Sequence, residues 1–95
     1  MIAKVDTKGS IAVAFSALAD DNRLQIFELL VDQQDICVSE LADNVGMSTS
    51  GAWQHLKVLE RAGLITEYKD GRKTCHKLVD TSRNHDIIDL IKSEG

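Results

Sequence analysis

Gly63 divides this sequence into two regimes. Ahead of it, apolar residues recur at helical spacing. Beyond it they alternate, in two runs (Leu64–Lys69 and Arg72–Val79) separated by Asp70-Gly71. A period near 3.6 buries one stripe of a helix, whereas a period of two buries one face of a strand. Neither half can therefore take the structure of the other. Asp-Gly between alternating runs is a strong hairpin signal. The expected class is mainly α with a β-hairpin, an α+β fold in which most of the helices precede the hairpin.

Before the divide, Ser10 to Ala19 reads as a first helix, with Ile11, Ala14, Phe15 and Leu18 on one side. Asp20 and Asp21 break it and suit the positive start of a second helix, from about Asn22 to Val31. That helix is apolar on most sides, which places it centrally. A polar turn, Asp32 to Asp35, leads to a short extended piece around Ile36–Val38. Ser39 is the expected N-cap of a third helix, which Gly46 ends. Ser48 caps a fourth, reaching Ala62, with Ala52, Leu56 and Leu59 as its narrow apolar stripe. After the hairpin, Asp80 to Lys92 forms a last helix with Ile87, Ile88 and Ile91 on one face. The expected order is α-α-α-α-β-β-α, in one domain over residues 1–95. A chain this short buries only about two thirds of its unfolded surface, so a second copy would add useful burial.

Several classes of function fall away. No apolar stretch approaches the roughly 20 residues of a membrane helix. Met1–Ser10 lacks the long apolar run of a signal peptide. The two cysteines, Cys37 and Cys75, are too few for a disulfide scaffold, so reduced thiols in a cytoplasmic setting are the default. No nucleophile elbow, phosphate loop or paired-carboxylate pattern is present, and an enzyme is not expected. The net charge of −4 weighs against nucleic acid until its distribution is considered. Ser48 to Lys77 holds six basic residues against three acidic ones, while the remainder holds five basic and twelve acidic. One basic face on an acidic body is the expectation.

The third and fourth helices, joined through Gly46 and Met47, have the form of a helix-turn-helix unit whose second helix reads DNA. At about 100° per residue, Thr49, Ser50, Trp53, Gln54 and Lys57 share one side of that helix. Hydroxyls reach phosphates or base edges, Gln pairs with adenine, and Lys meets guanine or phosphate. The bland alternative is a solvated face capped by Ser48. The hairpin tip, Lys69-Asp70-Gly71-Arg72-Lys73, shifts the balance, because a projecting basic turn can follow the backbone or enter the minor groove. The expected site is Ser48, Thr49, Ser50, Trp53, Gln54, Lys57, Arg72 and Lys73, with double-stranded DNA as partner.

Three stretches resemble the ArsR/SmtB group of dimeric winged-helix repressors: Ala17–Leu30, Val38–Ala42 and Met47–Ile65. The likeness implies a winged helix-turn-helix, a homodimer formed through the first and last helices, and two reader helices on an inverted repeat. It carries reading roles onto Ser48, Thr49, Ser50, Trp53 and Gln54, and a backbone or minor-groove role onto Arg72. Two residues depart from the family pattern. Trp53 stands where a small polar residue is usual, either touching the groove or packing, and Gly51 stands where a side chain is usual.

Members of that group commonly respond to metals. One of their sites uses Cys-Val-Cys at the start of the third helix, where this chain has Cys37-Val38-Ser39. Another uses Asp and His on the last helix, where this chain offers Asp80, His85, Asp86 and Asp89 without a paired set. Zinc needs three or four well-placed ligands, so neither a metal nor any other cofactor is expected. His55 and His76 read as packed or hydrogen-bonded residues. Two alternatives remain open: a protein-binding winged helix using the acidic half, and a thiol-redox-responsive repressor using Cys37 and Cys75.

Overall fold

The computed structural model describes residues 11–94. Its elements are α1 (Ile11–Leu18), α2 (Asp21–Gln33), β1 (Asp35–Cys37), α3 (Val38–Val45), α4 (Thr49–Arg61), β2 (Ile65–Asp70), β3 (Lys73–Leu78) and α5 (Ser82–Glu94). This is the expected winged helix-turn-helix with one addition. The extended piece before α3 is a true strand, pairing antiparallel with β3, so the sheet has the order β1-β3-β2. The expected Ser10 start of the first helix lies outside the described residues.

Local signals set most boundaries. Asp20 caps α2 from an extended backbone, its carboxylate accepting from the amides of Asn22 at 2.9 Å and Arg23 at 3.0 Å. Ser48 caps α4, its Oγ accepting from the Gly51 amide at 3.0 Å. Gly46 closes α3 and Gly63 follows α4, both at positive φ. Two expectations are corrected. Ser39 does not cap α3: Cys37 holds the N-cap place, extended by its pairing in β1, and supplies no side-chain cap bond. The hairpin is also displaced by one residue. Asp70 pairs with Lys73, so the two turn residues are Gly71 and Arg72. Gly71 alone of the pair has positive φ, at 63°, the pattern of a II′ turn, whose first central position needs glycine.

The core lies where α2 meets the other elements. Ile26, Phe27 and Leu30 of α2 are fully buried against Leu41, Leu56, Leu59, Leu64, Ile65 and Ile87. Leu41 of α3 and Leu56 and Leu59 of α4 occupy that same core, which fixes the polar face of α4 outward. Burial of such side chains stabilises by about 1.5–3 kcal/mol each. Asn84 of α5 is buried with them and donates to the carbonyls of Gly63 at 3.0 Å and Val79 at 2.9 Å. Its neighbour Arg83 reaches the carbonyls of Ala62 and Gly63, both at 3.2 Å. The last helix is thereby tied to the end of α4 and to both ends of the wing. Among the described residues, no helix is long and apolar enough to cross a membrane.

Candidate nucleic-acid interface

The fold brings most of the expected contacts to the surface of α4 and the hairpin tip. Ser48, Thr49, Ser50, Gln54 and Lys57 are exposed, as are Arg72 and Lys73. The Ser48 hydroxyl also serves as the helix cap, so that oxygen is already accepting one hydrogen bond. A Cβ at Gly51 would stand 3.2 Å from it. A side chain there would crowd the cap hydroxyl by a few tenths of an ångström, and glycine leaves it room.

Trp53 packs. It is half-buried, and its indole meets the His76 ring edge-on with centroids 5.6 Å apart. Aromatic pairs favour this geometry because the positive edge of one ring faces the negative face of the other. Lys57 lies over the indole, its Nζ 5.2 Å from the ring centroid. The same ammonium pairs with Glu67 of β2 at 3.3 Å and Glu60 at 3.5 Å. The hydrogen bond to Glu67, then the charge of Glu60, raise its pKa. Lys57 therefore bridges α4 and β2 in addition to standing on the outer face.

His76, on β3, is 1 % exposed and its Nδ1 has no hydrogen-bond partner. Burial pushes its pKa below 6.5, which favours the neutral ring. Two further wing lysines are engaged. Lys69 donates to Thr74 Oγ1 at 2.6 Å, and Lys77 lies 5.6 Å from the Tyr68 ring. Arg72 and Lys73 stand exposed at the turn.

The cysteines are not the reduced pair expected by default. Cys37 and Cys75 face one another across β1 and β3 and form a disulfide. Cys75 is fully buried. It shares a strand face with exposed Lys73 and Lys77, and β1 adds a third strand and a covalent partner beside it. On the last helix, His85 hydrogen-bonds Asp80, and both side chains are largely exposed. The residues that periodicity missed are Asn84, Glu60 and Glu67. Asn84 and Glu67 meet partners on distant elements, and Glu60, paired with Lys57 one turn back on its own helix, gains its place only beside Glu67 and His76.

Comparison with known proteins accords with this geometry. Residues 20–66 match the family model described as winged helix-turn-helix DNA-binding. The transcriptional repressor SmtB of Mycobacterium tuberculosis is 34 % identical over 79 residues, which cover 83 % of this chain and 58 % of SmtB. The chain spans about three fifths of the length of SmtB and of the cadmium-resistance regulators it also matches. HlyU from Vibrio cholerae superposes with a TM-score of 0.76 at 32 % identity, covering 85 % of this chain and 87 % of HlyU. Mb0332 of Mycobacterium bovis, a homodimeric winged helix-turn-helix DNA-binding domain and possible ArsR-family regulator, gives a TM-score of 0.76. It is 26 % identical, over 88 % of this chain and 79 % of that domain.

Proposed function

The chain belongs to the ArsR/SmtB-type winged helix-turn-helix transcriptional regulators, and we propose that it acts as a cytoplasmic homodimer that represses transcription from an inverted repeat in double-stranded DNA. One observation carries the reading: the exposed polar row Thr49, Ser50 and Gln54 stands on a helix whose wing ends in exposed Arg72 and Lys73. The row suits the major groove, and the turn suits a neighbouring phosphate or the minor groove. Pairing of two copies is supported by exposed apolar side chains on the two helices expected to form the interface. Ile11 and Phe15 on α1 are 47 % and 45 % exposed, and Leu90 on α5 is 50 % exposed. Two reader helices related by a two-fold axis would address half-sites about one helical turn apart.

The test is selection of bound sequences from random duplex DNA, followed by titration of the enriched site at two salt concentrations. An enriched inverted repeat whose affinity falls steeply with salt supports the reading, because phosphate contacts release counterions. No enrichment and no salt-sensitive binding would favour a protein-binding winged helix instead.

The disulfide favours a second reading of control. It ties the residue that starts α3 to the central strand of the sheet. Exchange with a dithiol reductant would leave the helix-turn-helix and the wing joined only by packing and hydrogen bonds. A difference in operator affinity between oxidised and reduced protein, abolished in Cys37→Ser, supports it, and equal affinities remove it.

A further inference from the structure

Behind the outward face of α4, three side chains that already contact Lys57 and Trp53 also converge on one another. Glu60 of α4, Glu67 of β2 and His76 of β3 each offer a ligand atom, and these atoms lie within 4.8 Å of one another. The set contains two carboxylates and an imidazole. Its histidine is 1 % exposed, with an Nδ1 that finds no hydrogen-bond partner. Buried polar atoms are nearly always satisfied, so a buried ring that leaves its Nδ1 unpartnered while offering a ligand atom to two carboxylates calls for an explanation. A cation already sits at this place: the Lys57 ammonium lies 3.3 Å and 3.5 Å from the two carboxylates.

We propose that Glu60, Glu67 and His76 form a binding site for a divalent first-row transition-metal ion at the root of the wing. Imidazole with carboxylate oxygens suits zinc and its neighbours, which bind such ligands at about 2.0–2.2 Å. Tetrahedral ligands at that range lie roughly 3.4 Å apart, so the three must draw inward by about 1 Å. The glutamates can supply this movement, since both side chains are 30 % exposed and extend from different elements. Three protein ligands leave a fourth position to water. The ion displaces Lys57, because both cations compete for the same two carboxylates. The site is distinct from the two places weighed from the sequence, the start of the third helix and the last helix. It joins α4 to β2 and β3, a grouping that only the folded chain creates.

The test uses the full chain with its disulfide intact, so that no thiolate competes, and zinc alone as probe. Calorimetric titration should show one ion per chain, with affinity at least tenfold weaker in Glu67→Gln. Lys57→Met should bind more tightly than wild type, because the competing ammonium is gone. The His76 ring resonances should move in step with zinc added below one equivalent. His76 substitutions risk misfolding, so the partly exposed Glu67 decides. Absence of binding, unchanged affinity in Glu67→Gln, or unmoved His76 resonances with an ion bound would each overturn the site. None of these readouts involves DNA, so they stand apart from the repressor reading.

Discussion

The side-chain amide of Asn84 donates to the carbonyl of Gly63 at 3.0 Å, joining the last helix to the turn that ends the reader helix. The same nitrogen reaches Val79, where the wing ends, at 2.9 Å. One buried residue thus links the end of α4 to both ends of the hairpin. Asn84→Ala leaves two carbonyls without that donor and should cost about 2 kcal/mol in denaturant unfolding. Asn84→Asp should cost more, because a carboxylate cannot donate to either oxygen. Equal stability of Asn84→Ala and wild type would remove the clamp from the fold's energetics.

Arg72 stands at the second turn position of the wing, exposed, whereas Gln54 stands on the reader helix. A phosphate contact and a base contact have different signatures. Arg72→Ala should weaken binding to every duplex by a similar factor and lower the salt slope by about one. Gln54→Ala should relax preference at a single base position, at about 1–3 kcal/mol of discrimination. Competition titrations over a set of point-mutated operators separate the two effects. A sequence-selective loss in Arg72→Ala would reassign the wing to base reading.

Leu90 is the most exposed of the large apolar side chains described, and Phe15 and Ile11 share the property on α1. If these residues are the dimer contact, Leu90→Glu places a charge in it and should shift the protein toward monomer in sedimentation. Operator affinity should fall with it, since two half-sites are no longer bound together. A Leu90→Glu protein that sediments as wild type would move the interface elsewhere.

The Asp20 carboxylate accepts from the Arg23 amide, and this bond together with the Arg23 charge holds its pKa below 3.8. A carboxylate whose folded pKa is depressed contributes stability above its unfolded value, and that contribution is lost as pH falls through the folded one. Asp20→Ala should therefore melt at a lower temperature than wild type at neutral pH. The gap should close as pH is taken well below 3.8, where wild type also loses its charged cap. A gap constant across that range would show that the cap's charge contributes nothing.

Helix existence, the two stops at Gly46 and Gly63, and the caps at Asp20 and Ser48 were legible in the sequence because each depends on neighbours within a turn. The same holds for the polar row of α4, since helical period alone decides which residues share a face. Expectation failed where a distant element intervened. Ser39 has the chemistry of a cap, but pairing of β1 with β3 moved the N-cap to Cys37. Asp-Gly signalled the hairpin, yet the register of β2 on β3 placed the turn at Gly71-Arg72. Sequence by itself determined the order of elements, the outward face of the reader helix and the basic tip of the wing, because these follow from local propensity and period. Tertiary structure alone decided that Trp53 rests on His76, that Cys37 meets Cys75 across the sheet, and that Glu60, Glu67 and His76 converge. Each of those contacts joins residues from separate elements. Burial of the common core fixes their distances, and no pattern along the chain encodes them.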